Sequence, residues 1–156
     1  MPAKQVLGIS LDVPLFAQAR RYVTFSPERR RLIREAVWAL VLARLAIRLV
    51  PFRRIVRFAT DFRRQAVAPV DHKEFAPLAA WAIEVSALRL PWRPVCFDRG
   101  LALHVLLRRR GIPSVLNYGV QREGTGKLAA HVWVTVGDET LIGGESAEGF
   151  ACLGRF

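Results

Sequence analysis

The sequence predicts a single α+β domain with its helices first and a small antiparallel sheet last. Two observations carry this. Residues 26 to about 110 hold apolar residues at helical spacing, broken by Pro51 and by the Pro91 to Pro94 segment. After Gly111 the pattern changes to short β-rich runs, SVLNYGVQ, LAAHVWVTV and ETLIGG, separated by turn residues. At 156 residues and 52% hydrophobic, the chain is long enough for one core and too short for two.

Residues 5–16 alternate, with Leu7, Ile9, Leu11 and Val13 on one side, and fit an added strand or an arm that orders against another surface. The expected division is an arm over 1–25 and one domain over 26–156. Ser26-Pro27-Glu28 is a helix opening, with a capping serine, a first-turn proline and an early acid. The helix it launches runs to about Leu49, before Pro51. Its run EAVWALVLARLAIRLV is too short to span a bilayer, because Arg44 and Arg48 interrupt it. Those arginines share one stripe, so the helix is amphipathic and any membrane contact is expected to be peripheral.

Residues 52–65 continue as a basic helix. Phe52, Ile55, Val56 and Phe58 or Phe62 face inward, and Arg53, Arg54, Arg57, Arg63 and Arg64 face outward. Asp71 and Glu74 then open a helix with Phe75, Leu78, Ala79, Ala82, Val85 and Leu88 on its apolar stripe. Two prolines keep the following PWRPV segment extended, and Cys96 begins the run CFDRGLALHVLLRRRG. Apolar residues fill the middle of that run. Arg108 to Arg110 suit the negative end of the helix dipole, and Gly111 with Pro113 stops it.

Cys96 therefore sits at the positive end of a helix, where the dipole and unpaired N–H groups stabilise a thiolate. A buried, inert thiol is the plain alternative. His131, early in the second strand, shares a face with Trp133 and Thr135. A nucleophilic thiol needs a base within hydrogen-bond reach, and the order of cysteine, helix, strand and histidine-bearing strand matches papain-like and transglutaminase-like cysteine enzymes. His72, at an exposed helix start, and His104, two turns beyond Cys96, are not expected to serve as the base.

The resemblance becomes specific in four phrases: LPW before the cysteine, Cys-x-x-Arg-x-Leu-Ala-Leu, Leu-Leu-Arg-Arg-Arg-Gly-Ile, and Ala-His-x-Trp-Val. In this order, over residues 36 to 156, the chain resembles the leader peptidases of lasso-peptide biosynthesis, a stand-alone branch of the transglutaminase-like superfamily. The resemblance implies that Cys96 is the nucleophile, that His131 is its general base, and that a carboxylate orients the imidazole. The family's usual aspartate, about a dozen residues past the histidine, is missing from Leu141-Ile142-Gly143-Gly144-Glu145. Folding the hairpin about Gly137-Asp138 brings Glu145 opposite His131 and leaves Asp138 at the far end, so Glu145 is the expected third member. Asp138 or no carboxylate at all are the alternatives.

The resemblance also implies three partners: a lasso precursor peptide, a separate leader-recognition protein and an ATP-dependent cyclase. About 25 residues before the first helix are too few for a fused recognition domain, so that protein is expected in trans. Two further readings share the fold, a catalytically silent peptide-binding module and an amidase or acyl transferase, because Cys and His specify acyl transfer and not its acceptor.

The excess of 24 Lys and Arg over 13 Asp and Glu, formally +11, favours an acidic partner. There is no zinc-finger, helix-turn-helix or RNA-binding signature, so nucleic acid is not expected. No metal or cofactor is expected either, since two cysteines and three histidines show no ligand spacing and Gly124-Thr125-Gly126-Lys127 lacks the strand and helix of a phosphate loop. Cys96 and Cys152 make no disulfide framework and no secretion signal precedes the domain, which together predict a cytoplasmic protein.

Overall fold

The computed structural model describes residues 25–61, 71–122 and 126–156. The expected strand or arm at 5–16, Phe62 to Arg64 and half of the REGTGK hairpin tip lie outside the described residues. Residues 32–156 form one compact unit. The helices are α1 (Pro27–Leu49), α2 (Phe52–Asp61), α3 (His72–Ala87) and α4 (Cys96–Arg108). The strands are β1 (Ser114–Arg122), β2 (Leu128–Val136), β3 (Glu139–Ile142) and β4 (Ala151–Arg155), with a 3-10 turn at Gly144–Ser146. The α+β class is as the sequence predicts. Among the described residues, no helix is long and apolar enough to cross a membrane.

Helix ends follow the local chemistry. The Asp71 side chain accepts the Lys73 N–H at 2.9 Å and caps α3. On α2, Ile55 is buried and Arg53, Arg54 and Arg57 are exposed, but Phe58 points outward rather than inward. Among the described side chains of this ten-residue helix Ile55 alone is buried.

The sheet is antiparallel throughout, in the order β3-β2-β1-β4. The fourth strand was not expected. It adds to the free edge of β1, pairing Tyr118 with Gly154 and Gly119 with Cys152. Residues Ala151 to Leu153 remain exposed, which explains why the segment lacks an apolar alternation.

The core lies between α4 and one face of this sheet, with α1 and α3 behind. Leu40, Ile83, Leu103, Leu107, Ile112 and Val134 are fully buried there. Gly100 brings α4 close to β2, since a methyl group in its place would sit 2.6 Å from Val132 Cγ1. The sheet face against α4 is therefore the one carrying Leu116, Val132 and Val134.

Candidate functional site

Cys96 is the first residue of α4, and the first-turn N–H groups of a helix have no acceptor within it. Four contacts fix this helix start. Arg99 donates from Nε to the Pro94 carbonyl at 3.0 Å and from Nη1 to Glu84 Oε2 at 3.2 Å, tying the PWRPV segment to α3. Burial pushes the Glu84 carboxyl above its usual range, and the Arg99 charge opposes that shift. Asp98, with no exposed side-chain surface, accepts the Val95 N–H at 3.0 Å and the Arg44 Nη1 at 3.1 Å through the same oxygen. Its other oxygen, Oδ1, is buried without a hydrogen-bond partner among the described residues.

Sequence reasoning missed Asp98. An acid at the third position of a helix can reach back to the N-cap N–H, and that spacing was the available signal. Its partner Arg44 lies 54 residues away, beyond any local pattern.

Cys96 is partly exposed and lines a cavity of about 310 Å³. Phe97 and the β-sheet residues Tyr118, Ala130 and Val132 form one side of the cavity. Ile47 and Val50 at the end of α1, with Ile55 of α2, close the other. Of these eight lining residues, only Cys96 and Tyr118 carry a side-chain heteroatom. Cys152 is exposed on β4 and does not line the cavity.

Cys96 thus meets the stretch of β2 that carries His131. The two side chains are not joined, however, and no hydrogen bond links them. Ala130 and Val132 face the cavity, so the pleat sends His131 out on the opposite side of the strand. There the ring stacks on Trp133 at 6.3 Å between centroids and meets Phe150 at 5.3 Å.

The His131 Nε2 lies 2.8 Å from the Gly143 carbonyl. A carbonyl only accepts, so Nε2 donates and the neutral ring keeps its lone pair on Nδ1. Glu145, the expected orienting carboxylate, is exposed in the 3-10 turn, and the hydrogen bond of the ring runs to the Gly143 carbonyl. The ladder explains why. A bulge sets Val134 opposite Ile142, and simple continuation would place Glu145 opposite His131. Gly143 instead adopts a left-handed φ of 77°, ending β3 at Ile142 and turning its carbonyl to the imidazole. Asp138 sits exposed in the Gly137-Asp138 turn.

Glu145→Gln is accordingly expected to leave turnover within about twofold of wild type, as for an exposed side chain with no partner at the site. A fall in kcat of tenfold or more, with KM unchanged, would restore Glu145 as the orienting group.

His72 is exposed, and His104 is buried with Nδ1 3.0 Å from Ser114 Oγ inside the core. Among the described residues, no group of three or more His, Cys, Asp or Glu is placed to hold a metal ion.

A cysteine at a helix start, packed against an antiparallel sheet with a histidine on the second strand, defines the architecture of cysteine-type acyl-transfer enzymes. The model of one family, the Transglutaminase-like superfamily, matches residues 36–154, and the chain belongs to that superfamily, whose members are generally cysteine-type enzymes. Comparison with curated proteins and with solved structures gives no significant match.

Proposed function

We propose that this protein is a cysteine peptidase that removes the leader from a lasso-peptide precursor, with Cys96 as nucleophile and His131 as base. The observation that carries the reading is Cys96 at the start of α4, partly exposed and lining a cavity against the strand of His131. The four sequence phrases shared with lasso leader peptidases narrow the substrate class. In the reaction, the thiolate adds to the scissile carbonyl, its proton having passed to His131 Nδ1. First-turn N–H groups of α4 receive the oxyanion. The amine departs with that proton, and water then releases the leader acid from the thioester. His131 leaves the far side of β2, so the dyad requires a rearrangement of β2 on substrate binding that brings its Nδ1 to the thiol.

The Gly143 carbonyl orients the ring in place of a carboxylate. It fixes the tautomer but carries no charge to stabilise an imidazolium, so the site works as a Cys-His dyad.

The partners proposed are the precursor, a separate leader-recognition protein and an ATP-dependent cyclase. The purified chain alone is expected to cleave precursor slowly, and addition of the recognition protein to accelerate it at least tenfold. Leader release followed by mass spectrometry checks this, and rapid leader-specific cleavage by the chain alone would contradict it.

A second reading, a silent peptide-binding module, is favoured by one observation, the absence of a Cys96–His131 hydrogen bond. It predicts that precursor binds and is never cut, with or without the partner.

A further inference from the structure

We propose that the cavity beside Cys96 is a specificity pocket for one apolar side chain of the peptide acyl donor, and that it rejects charged ones. This rests on the peptidase reading and adds the chemical class of the residue next to the scissile bond. Ile47, Val50, Ile55, Phe97 and Val132 supply aliphatic or aromatic surface, and Tyr118 contributes the only oxygen of a lining side chain. A volume of about 310 Å³ walled by aliphatic and aromatic side chains has room for an apolar side chain.

Charge is excluded for a definite reason. None of the residues lining the cavity carries a charge, and Arg44 and Asp98 at this helix start are paired with each other. An ammonium or carboxylate entering the cavity would lose water and gain no counter-ion. Cys96 lines the cavity, so an acyl group bonded to its Sγ starts beside it, and its own side chain or that of the preceding residue can enter. Val50, 36% exposed, stands at the rim.

The test uses the full chain with Cys152→Ser, so that Cys96 is the sole thiol. Acetyl-leucinal, acetyl-phenylalaninal, acetyl-lysinal and acetyl-aspartal are compared as reversible ligands. In each, Sγ adds to the aldehyde carbon, a C–S bond forms, and the oxygen takes a proton to give a thiohemiacetal. Affinity is read as protection of Cys96 from iodoacetamide, in high salt to screen the net charge of +11.

Leucinal and phenylalaninal are expected to bind about 10- to 100-fold tighter than the charged pair, the range that burial of one such side chain allows. Val50→Glu, a change at an exposed rim position, should narrow that gap by raising the affinity of lysinal. Protection by all four aldehydes at equal concentrations, or tightest by a charged one, would overturn the pocket and leave the peptidase reading standing. Ready alkylation of Cys96 with no protection by any aldehyde would overturn the pocket as well. A Cys96 that neither alkylates faster than Cys152 does in the Cys96→Ser protein nor takes any aldehyde would overturn both.

Discussion

Cys96→Ala is expected to abolish leader removal, lowering kcat by about 10⁴-fold or more while the protein stays folded. The size of the effect follows from the chemistry, because without the thiol no acyl-enzyme forms and the path through a thioester is closed. Folding should survive. Cys96 is only partly buried at the first position of α4, and the helix start is held by Asp98, Arg99 and Arg44 rather than by the thiol. Cys152→Ser serves as the control and should leave turnover unchanged, since Cys152 is exposed on the edge strand β4 and its thiol donates to the Gly154 carbonyl at 3.5 Å. Leader release by liquid chromatography, with circular dichroism on each variant, makes the comparison.

The second large effect concerns the support of that helix start. Arg44→Met should destabilise the protein by about 3 kcal/mol, the lower end for breaking a buried ion pair, because the arginine keeps some contact with water. The cost comes from Asp98. Its carboxylate has no exposed surface and one oxygen already lacks a hydrogen-bond partner among the described residues, so losing Arg44 leaves a buried charge held by the Val95 N–H. Asp98→Asn keeps an oxygen for Val95 and removes the charge. The Arg44→Met/Asp98→Asn double variant should therefore recover part of the stability lost by Arg44→Met. Urea unfolding at neutral pH measures all three, and a double variant that simply adds the two single losses would show that the pair is not coupled.

Much of this architecture was legible in the chain. The PWRPV segment and the Arg-rich end before Gly111 bound α4 closely, because prolines and a terminal glycine act locally. The face of β2 that meets α4 was also readable in principle, since Val132, Val134 and Val136 alternate with His131, Trp133 and Thr135. That alternation marks the valine face as the core side and so turns His131 away from it. The end of β3 was not legible, because ETLIGG reads as continuous strand, and only the left-handed conformation of Gly143 removes Glu145 from the ladder. Strand β4 escaped notice since its pairing surface is the backbone of β1, which no side-chain pattern reports. The Arg44–Asp98 pair escaped for the opposite reason: both residues are conspicuous, but 54 positions of chain separate them.

The central claim is that Cys96 carries the leader as an acyl-enzyme. Intact-mass spectrometry of rapidly quenched reactions of the Cys152→Ser protein with precursor and the leader-recognition protein tests it most directly. The account predicts a transient species heavier than the protein by the mass of the leader acyl group, mapped to Cys96, absent in Cys96→Ala and rising before free leader accumulates. Leader release at an undiminished rate from the Cys96→Ala protein would contradict it.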